Sequence, residues 1–310
     1  MSEVFPKPSR LAGAALVAGL ALFGCASAFG VQEDADSGSP PVPSADATRD
    51  DAGAIPPPPP RDAGVDGALG RVTDGLVAFF GFREDAGTIV HDTAPEGGRL
   101  ELVVARAPAP DGDGGVLPVP TSGPTVAWTS PGMSVVGRVV VASAQNASLI
   151  ESRCNTTNEL TVEAWIKPSS VTQGGPARIV TMSHTGVVRN RNFTLGQAGD
   201  SYVFRIRNEE LDAGIVEVRS DGGAGLALTH VAVVVRANGS LTFWIDGTPT
   251  TSRLPAGAFS FQPFRLGLAN EIDGFDAERL WRGDYRLVAI YCRALSEAEV
   301  RRNRELGPNP

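Results

Sequence analysis

Four carboxylates crowd one short stretch of this sequence, Glu271-Ile272-Asp273-Gly274-Phe275-Asp276-Ala277-Glu278. Two carboxyls held about 5–5.5 Å apart can cleave a glycosidic bond with retention, one acting as acid and one as nucleophile. Glu271 and Asp276 are the pair to consider for that reaction. On a strand, residues four apart lie about 13 Å apart unless a bulge draws them together. Gly274 interrupts the run, and the acids alternate poorly with apolar residues. The block therefore reads as a solvated acidic turn. The same oxygens could hold calcium, a hard cation that takes carboxylate and carbonyl ligands. Asp273 and Asp276 are the candidates, with Glu278 beside them, or Asp92 with a loop carbonyl. No fixed-spacing loop of the EF-hand type supports the site.

The other chemistry-bearing side chains are scattered. His91, His184 and His230 have no nucleophile at a recognisable spacing, and with two cysteines they do not form a zinc ligand set. His230, at the start of an apolar run, reads as a structural hydrogen-bonder rather than a base. Arg178, Arg191, Arg205 and Arg207 could share one sheet face, and Arg205 and Arg207, two apart, point the same way on a strand. Ion pairs to Glu163 or Glu217 are the weightier reading; an anionic glycan surface is the other. Trp165 and Trp244 lie in strand-like runs and read as core. Trp128 and Trp281 flank loops, where a ring can stack on a sugar, although packing is its commoner role.

These residues need a scaffold, and the pattern predicts strands. Short apolar or alternating runs recur at 75–82, 99–104, 134–141, 159–167, 177–183, 192–197, 201–207, 228–236, 240–246, 263–268 and 284–292, between Gly, Pro, Asn and Asp. Asn238-Gly239 signals a two-residue hairpin, and Asp246-Gly247 a turn after the next strand. The run at 284–292 is apolar on both faces, with Tyr285, Leu287, Ala289 and Tyr291 on one side and Val288, Ile290 and Cys292 on the other. That places it inside a sheet covered on both sides. Only 296–306 looks helical: Ser296 and Glu299 form a capping box, and Gly307-Pro308 stops the helix. Many strands and one terminal helix predict a single all-β sandwich or jelly roll over 71–310, with 105–124 an exposed loop or insertion.

The first 70 residues are not part of it. Lys7 and Arg10 precede an apolar run, Leu11 to Phe23, too short to span a bilayer, and together they read as a signal peptide over 1–24. Leu22-Phe23-Gly24-Cys25 resembles the bacterial lipobox, with Phe23 a departure at its second position. That resemblance implies cleavage before Cys25, lipidation of Cys25 and a membrane anchor facing the periplasm or the cell surface. The alternative is cleavage after Ala28, giving a secreted soluble chain. Residues 25–70 have few large apolar side chains and cannot bury enough surface to fold. They read as an acidic, Pro-rich tether, with Pro56 to Pro60 favouring stiff polyproline II. Of the net charge of −8, +1 falls on residues 1–30, −6 on 31–70 and −3 on 71–310. A near-neutral folded part argues against nucleic acid as a partner.

Several blocks then resemble a known family. Gly75–Phe80 (GLVAFF) with Asp92, Leu160–Pro168 (LTVEAWIKP), His230-Val231-Ala232 with Trp244–Gly247 (WIDG), and Gly283 with Ile290–Ser296 (IYCRALS) and Glu299-Val300 are similar to the laminin-G-like, concanavalin-A-like jelly-roll domains. Leu268-Ala269-Asn270-Glu271 and Arg191–Gln197 look like blocks of a bacterial subgroup. The resemblance implies an all-β jelly-roll sandwich with a short C-terminal helix. An exported chain with two further cysteines favours a disulfide, and the topology the resemblance implies sets Cys154 near Cys292; two separate thiols are the alternative. Many relatives carry an Asp where this chain has Arg286, so no role of that Asp transfers. The acidic block itself resembles the E-x-D-x-x-E run of laminarinase-type hydrolases, which share the fold. The expected function is a membrane-tethered, non-enzymatic binding module for carbohydrate or another extracellular partner, without an obligatory cofactor. A glycan-cleaving enzyme using Glu271 and Asp276, or a structural envelope protein, are the alternatives.

Overall fold

The structure is a computed structural model and describes residues 70–96, 99–106, 123–184, 191–208, 216–255, 257–272 and 278–308. In chain order its elements are β1 (Leu76–Phe80), β2 (Ile89–Val90), β3 (Leu102–Arg106), β4 (Val126–Trp128), β5 (Met133–Val135), β6 (Val139–Ser143), α1 (Ser148–Thr157), β7 (Leu160–Pro168) and β8 (Ala177–Ser183). There follow β9 (Arg191–Ala198), β10 (Ser201–Ile206), β11 (Val216–Gly223), β12 (Thr229–Val235), β13 (Ser240–Ile245), β14 (Thr248–Arg253), β15 (Arg265–Leu268), β16 (Gly283–Tyr291) and α2 (Glu297–Leu306).

The strands form two antiparallel sheets, the jelly-roll sandwich expected. The first runs β14-β13-β12-β7-β16-β5-β4, with β1 also on β16; the second runs β11-β10-β9-β8-β15-β6-β3-β2. Alternation puts Leu160, Val162, Ala164 and Ile166 of β7 and Val231, Val233 and Val235 of β12 into the space between the sheets. There they meet Phe193, Leu195, Tyr202 and Phe204 of the second sheet. Tyr285 ties the layers together: its hydroxyl donates to Ile179 O at 2.7 Å and accepts from Ala269 N at 3.0 Å.

β16 departs from the simple alternation. Tyr285 pairs with Ile166 and Leu287 with Trp165, so Arg286 is an extra residue in a bulge. Tyr285 therefore joins Val288, Ile290 and Cys292 in the inter-sheet core, while Leu287, Ala289 and Tyr291 face outward under α2. The strand is covered on both faces as expected, but the bulge moves Tyr285 to the opposite side from Leu287.

The run at 134–141 is two strands rather than one: β5 lies in the first sheet and β6 in the second. The chain changes sheets at Gly137, where a Cβ would meet Pro124 O at 2.6 Å. The helix α1 is also outside the sequence expectation. Its SLIESRCNTT sequence buries only Ile150 and Cys154 and has no side-chain N-cap bond. Tertiary contacts hold it instead. Cys154 bonds to Cys292, and Asn155 and Asn158 accept from Phe261 N and Phe259 N at 2.9 and 2.7 Å.

The two hairpin signals resolve differently. Asp246 and Gly247 have φ of 48° and 82° and join β13 to β14 as a two-residue turn. At Asn238-Gly239 the hairpin forms, but Arg236 N donates to Ser240 O, so the loop has an extra residue and Gly239 takes φ 80°. The terminal helix carries its capping box, with Ser296 Oγ accepting from Glu299 N and Glu299 Oε2 from Ser296 N. The signal peptide and tether expected over residues 1–70, except Gly70, including Cys25, and most of the loop expected at 105–124 lie outside the described residues.

Candidate functional site

The chemistry-bearing residues gather on the outer faces of the two sheets. On the second sheet, β8 turns Arg178, Thr181 and Ser183 outward, β9 adds Thr194, and β10 and β11 add Arg205, Glu217 and Arg219. Over β8 lies the chain that leaves β15. It places Glu271 against Arg178, whose Nε and Nη2 donate to Glu271 Oε2 at 3.2 and 3.0 Å. Ser183 donates to Glu271 Oε1 at 2.5 Å. Arg178 is 1% exposed and Glu271 is 7% exposed, so this pair is sealed rather than solvated. The expectation of an exposed acidic turn fails at Glu271 for a physical reason. The carboxylate has a buried guanidinium partner some ninety residues earlier in the chain, and separation of that length is invisible to local pattern.

Electrostatics follow from that burial. Desolvation raises the Glu271 carboxyl, but Arg178 and the Ser183 hydroxyl bring it below the usual carboxylate range. Desolvation lowers Arg178 to about 10, against the pull of Glu271 and with the push of Arg191. Arg191 is also lowered, first by desolvation, with Glu271 opposing and Arg205 and Arg279 adding to it. Beside the sealed pair, Arg205 Nε donates to Glu217 Oε2 at 2.6 Å, and Arg219 Nε donates to Glu217 Oε1 at 2.8 Å. The ion-pair reading of these arginines is thus right for Glu217. Arg178 takes Glu271 rather than Glu163.

Glu163 belongs to a second buried network, on the outer face of the first sheet beneath α2. Its Oε1 accepts from Arg71 Nη1 at 2.5 Å and lies 3.0 Å from His230 Nε2; its Oε2 accepts from Asn303 Nδ2 at 2.9 Å. Tyr291 Oη also contacts Asn303 Nδ2, at 3.1 Å. His230 is structural, as expected. No element of the sequence pattern marks Arg71 or Asn303; both are polar residues at apparently solvated positions that the fold closes over.

The remaining candidates separate. Cys154 and Cys292 form the disulfide. Trp281 is fully buried, packs on Tyr285 and donates from Nε1 to Gln197 Oε1 at 2.9 Å, so it does not offer a ring to a sugar. Trp244 is buried, while Trp165 and Trp128 are half-buried. His91 pairs with Glu84 at 3.1 Å at the surface. Asp92 is used internally, accepting from Phe79 N, Ala94 N and Leu100 N at 2.9–3.0 Å. Asp273 and Asp276 lie outside the described residues, and Glu278 is exposed. Among the described residues no three His, Cys, Asp or Glu side chains come together as a metal ion would need.

Two antiparallel sheets in this order, with the final strand beside β7 and a capped helix after it, match a known architecture. A family profile described as concanavalin A-like lectin/glucanases superfamily, of the laminin-G type, matches residues 142–301. The chain belongs to this superfamily. Among curated proteins no sequence matches it. Solved structures with a similar fold include the binding domain of botulinum neurotoxin DC in complex with rat synaptotagmin II. It is 11% identical with a TM-score of 0.50, over 77% of this chain and 53% of that one. Trypanosoma rangeli sialidase in complex with sialic acid is 13% identical with a TM-score of 0.50, over 76% of this chain and 34% of that one. This concanavalin A-like chain spans about half the length of the neurotoxin domains it resembles, and at these identities the likeness is one of fold.

Proposed function

We propose that the chain is an extracytoplasmic binding module, tethered to a membrane through Cys25, that recognises carbohydrate or another extracellular partner without cleaving it. The observation that carries the reading is the state of Glu271. A retaining glycosidase needs a general acid whose pKa is raised and whose carboxyl reaches the leaving oxygen. Glu271 is lowered, so it holds no proton to give as an acid, and it is closed off and already bonded at both oxygens, which keeps it from attacking as a nucleophile. The polar strip beside it, Arg205, Glu217 and Arg219 with Arg191, offers charged hydrogen-bonding groups at partial exposure, which suits recognition. The occurrence of a similar fold in a neurotoxin binding domain found with synaptotagmin II supports a binding role.

The test is a glycan array and a pull-down from envelope or host extracts with the full chain, run beside a hydrolysis assay on β-glucans. Capture of a defined ligand without product release supports the proposal. Hydrolysis that Glu271→Gln abolishes overturns the non-enzymatic part. Silence in both binding screens overturns the whole. Incorporation of labelled lipid into the native chain, lost in Cys25→Ser, tests the tether separately.

A further inference from the structure

The end of the sandwich where β7 finishes and β12 and β16 begin carries an open pocket of about 460 Å³, lined by Pro131, Lys167, Leu226, Leu228, Arg286 and Pro308. Leu226 is 55% exposed and Leu228 38%. These leucines are presented rather than loosely placed. Ala224 N donates to Asp200 O at 2.9 Å on one side of them, and Thr229 Oγ1 donates to Ala227 O at 3.2 Å on the other. Two cations frame them. Lys167 is exposed at the end of β7. Arg286, the bulged residue of β16, is held along the pocket by bonds to Pro131 O and Thr129 O. Asp284, the register partner of Lys167, has its carboxylate engaged by Ser134 Oγ at 2.6 Å. No carboxylate lines the pocket among the described residues.

The first described residues reach toward the same end through one side chain. Arg71 Nη2 donates to Gly307 O at 2.8 Å, and the next residue, Pro308, lines the pocket. We propose that this end is a lipid-facing surface. Leu226 and Leu228 enter the headgroup boundary of an anionic bilayer, and Lys167 and Arg286 meet lipid phosphates, so that the domain sits on the membrane with its strip of Arg205, Glu217 and Arg219 held in a fixed orientation. Apolar side chains flanked by Lys and Arg are the chemistry of interfacial binding, and such a contact is weak enough to need a second signal. The covalent anchor of the proposed function is that signal, and the inference rests on it.

The experiment uses the native lipidated chain in vesicles of phosphatidylglycerol and phosphatidylethanolamine. Leu226→Cys carries a spin label in one sample and Asn238→Cys, at the far end of β12, in another; Cys154 and Cys292 are bridged and do not label. The expected result is a 226 label reached by lipid-soluble oxygen and shielded from an aqueous relaxant, with a 238 label in water. Lys167→Gln with Arg286→Gln should lower the inserted fraction of the 226 label by at least roughly tenfold, as two surface cations imply. Vesicles of phosphatidylcholine alone should lower it similarly. A 226 label as aqueous as the 238 label overturns the proposal, as does insertion indifferent to both cations and lipid charge. Shielding of the 226 label that appears without vesicles and grows with protein concentration would make the patch a contact between copies and also overturns it. If export yields the form cut after Ala28, that soluble form is coupled through its N-terminal amine to a vesicle lipid, which restores the second signal, and is read in the same way. Insertion there removes only the anchor, and no insertion removes the lipid-facing surface.

Discussion

Replacing Glu163 with Gln should separate one buried charge from everything else that titrates in this domain. Glu163 is 1% exposed and shares its two oxygens among Arg71, His230 and Asn303 at 2.5, 3.0 and 2.9 Å. Desolvation pushes its carboxyl up, but Arg71 and His230 more than offset this and bring it from 4.5 down to about 2. The native state therefore binds this proton less readily than the unfolded chain. Its contribution is fully present above about pH 4.5 and is lost as pH falls through about 2. The difference between those values corresponds to about 3 kcal/mol. Near neutral pH Glu163→Gln also leaves Arg71 buried without its counter-charge, which costs about 3–5 kcal/mol. Urea melts of wild type and variant from neutral pH down to about pH 2 give two stability curves. Glu217, Glu271 and Glu299 are also lowered by their partners, but they are present in both chains and cancel in the difference. The gap between the curves should narrow by about 3 kcal/mol over the acid window. Curves that stay parallel would show that Glu163 is no more acidic folded than unfolded, and the clamp on α2 and Arg71 would not be electrostatic.

Further outcomes follow from the same contacts. Cys154→Ser with Cys292→Ser opens a loop whose sequence separation is 138 residues; the chain-entropy relation gives about 5 kcal/mol, read as a fall in urea midpoint that added reductant reproduces in wild type but not in the variant. Tyr285→Phe removes the donor to Ile179 O and the acceptor for Ala269 N and should cost about 1–3 kcal/mol, with the m-value unchanged. Glu271→Gln uncovers the buried Arg178 and should destabilise by about 3 kcal/mol, whereas Glu278→Gln, at an exposed position, should stay within about 0.5 kcal/mol.

Most of the architecture was legible in the residues themselves. Apolar alternation in β7, β12 and β13 reports which face is buried because the side-chain period of a strand is two. The capping box of α2 is written in residues three apart, Ser296 and Glu299. Asp246-Gly247 announces its turn because both positions need positive φ. Such signals are local, so a sequence carries them openly. The block resemblance then supplied the neighbours, including the approach of Cys154 to Cys292.

What the sequence could not decide were the matters that depend on residues far apart in the chain. The bulge at Arg286 reverses Tyr285 relative to Leu287, and only pairing with β7 reveals it. Helix α1 has a weak pattern because the disulfide and Asn155 and Asn158 hold it in place of an apolar face. Glu271 looked like part of a solvated turn because its partner, Arg178, sits on another strand. Local spacing thus determined an all-β chain with a capped terminal helix, and the block resemblance its concanavalin A-like class and the approach of Cys154 to Cys292. Tertiary structure decided that its most conspicuous carboxylate is a buried ion-pair member, because the free energy of a charge depends on what surrounds it in space and not on its neighbours in sequence.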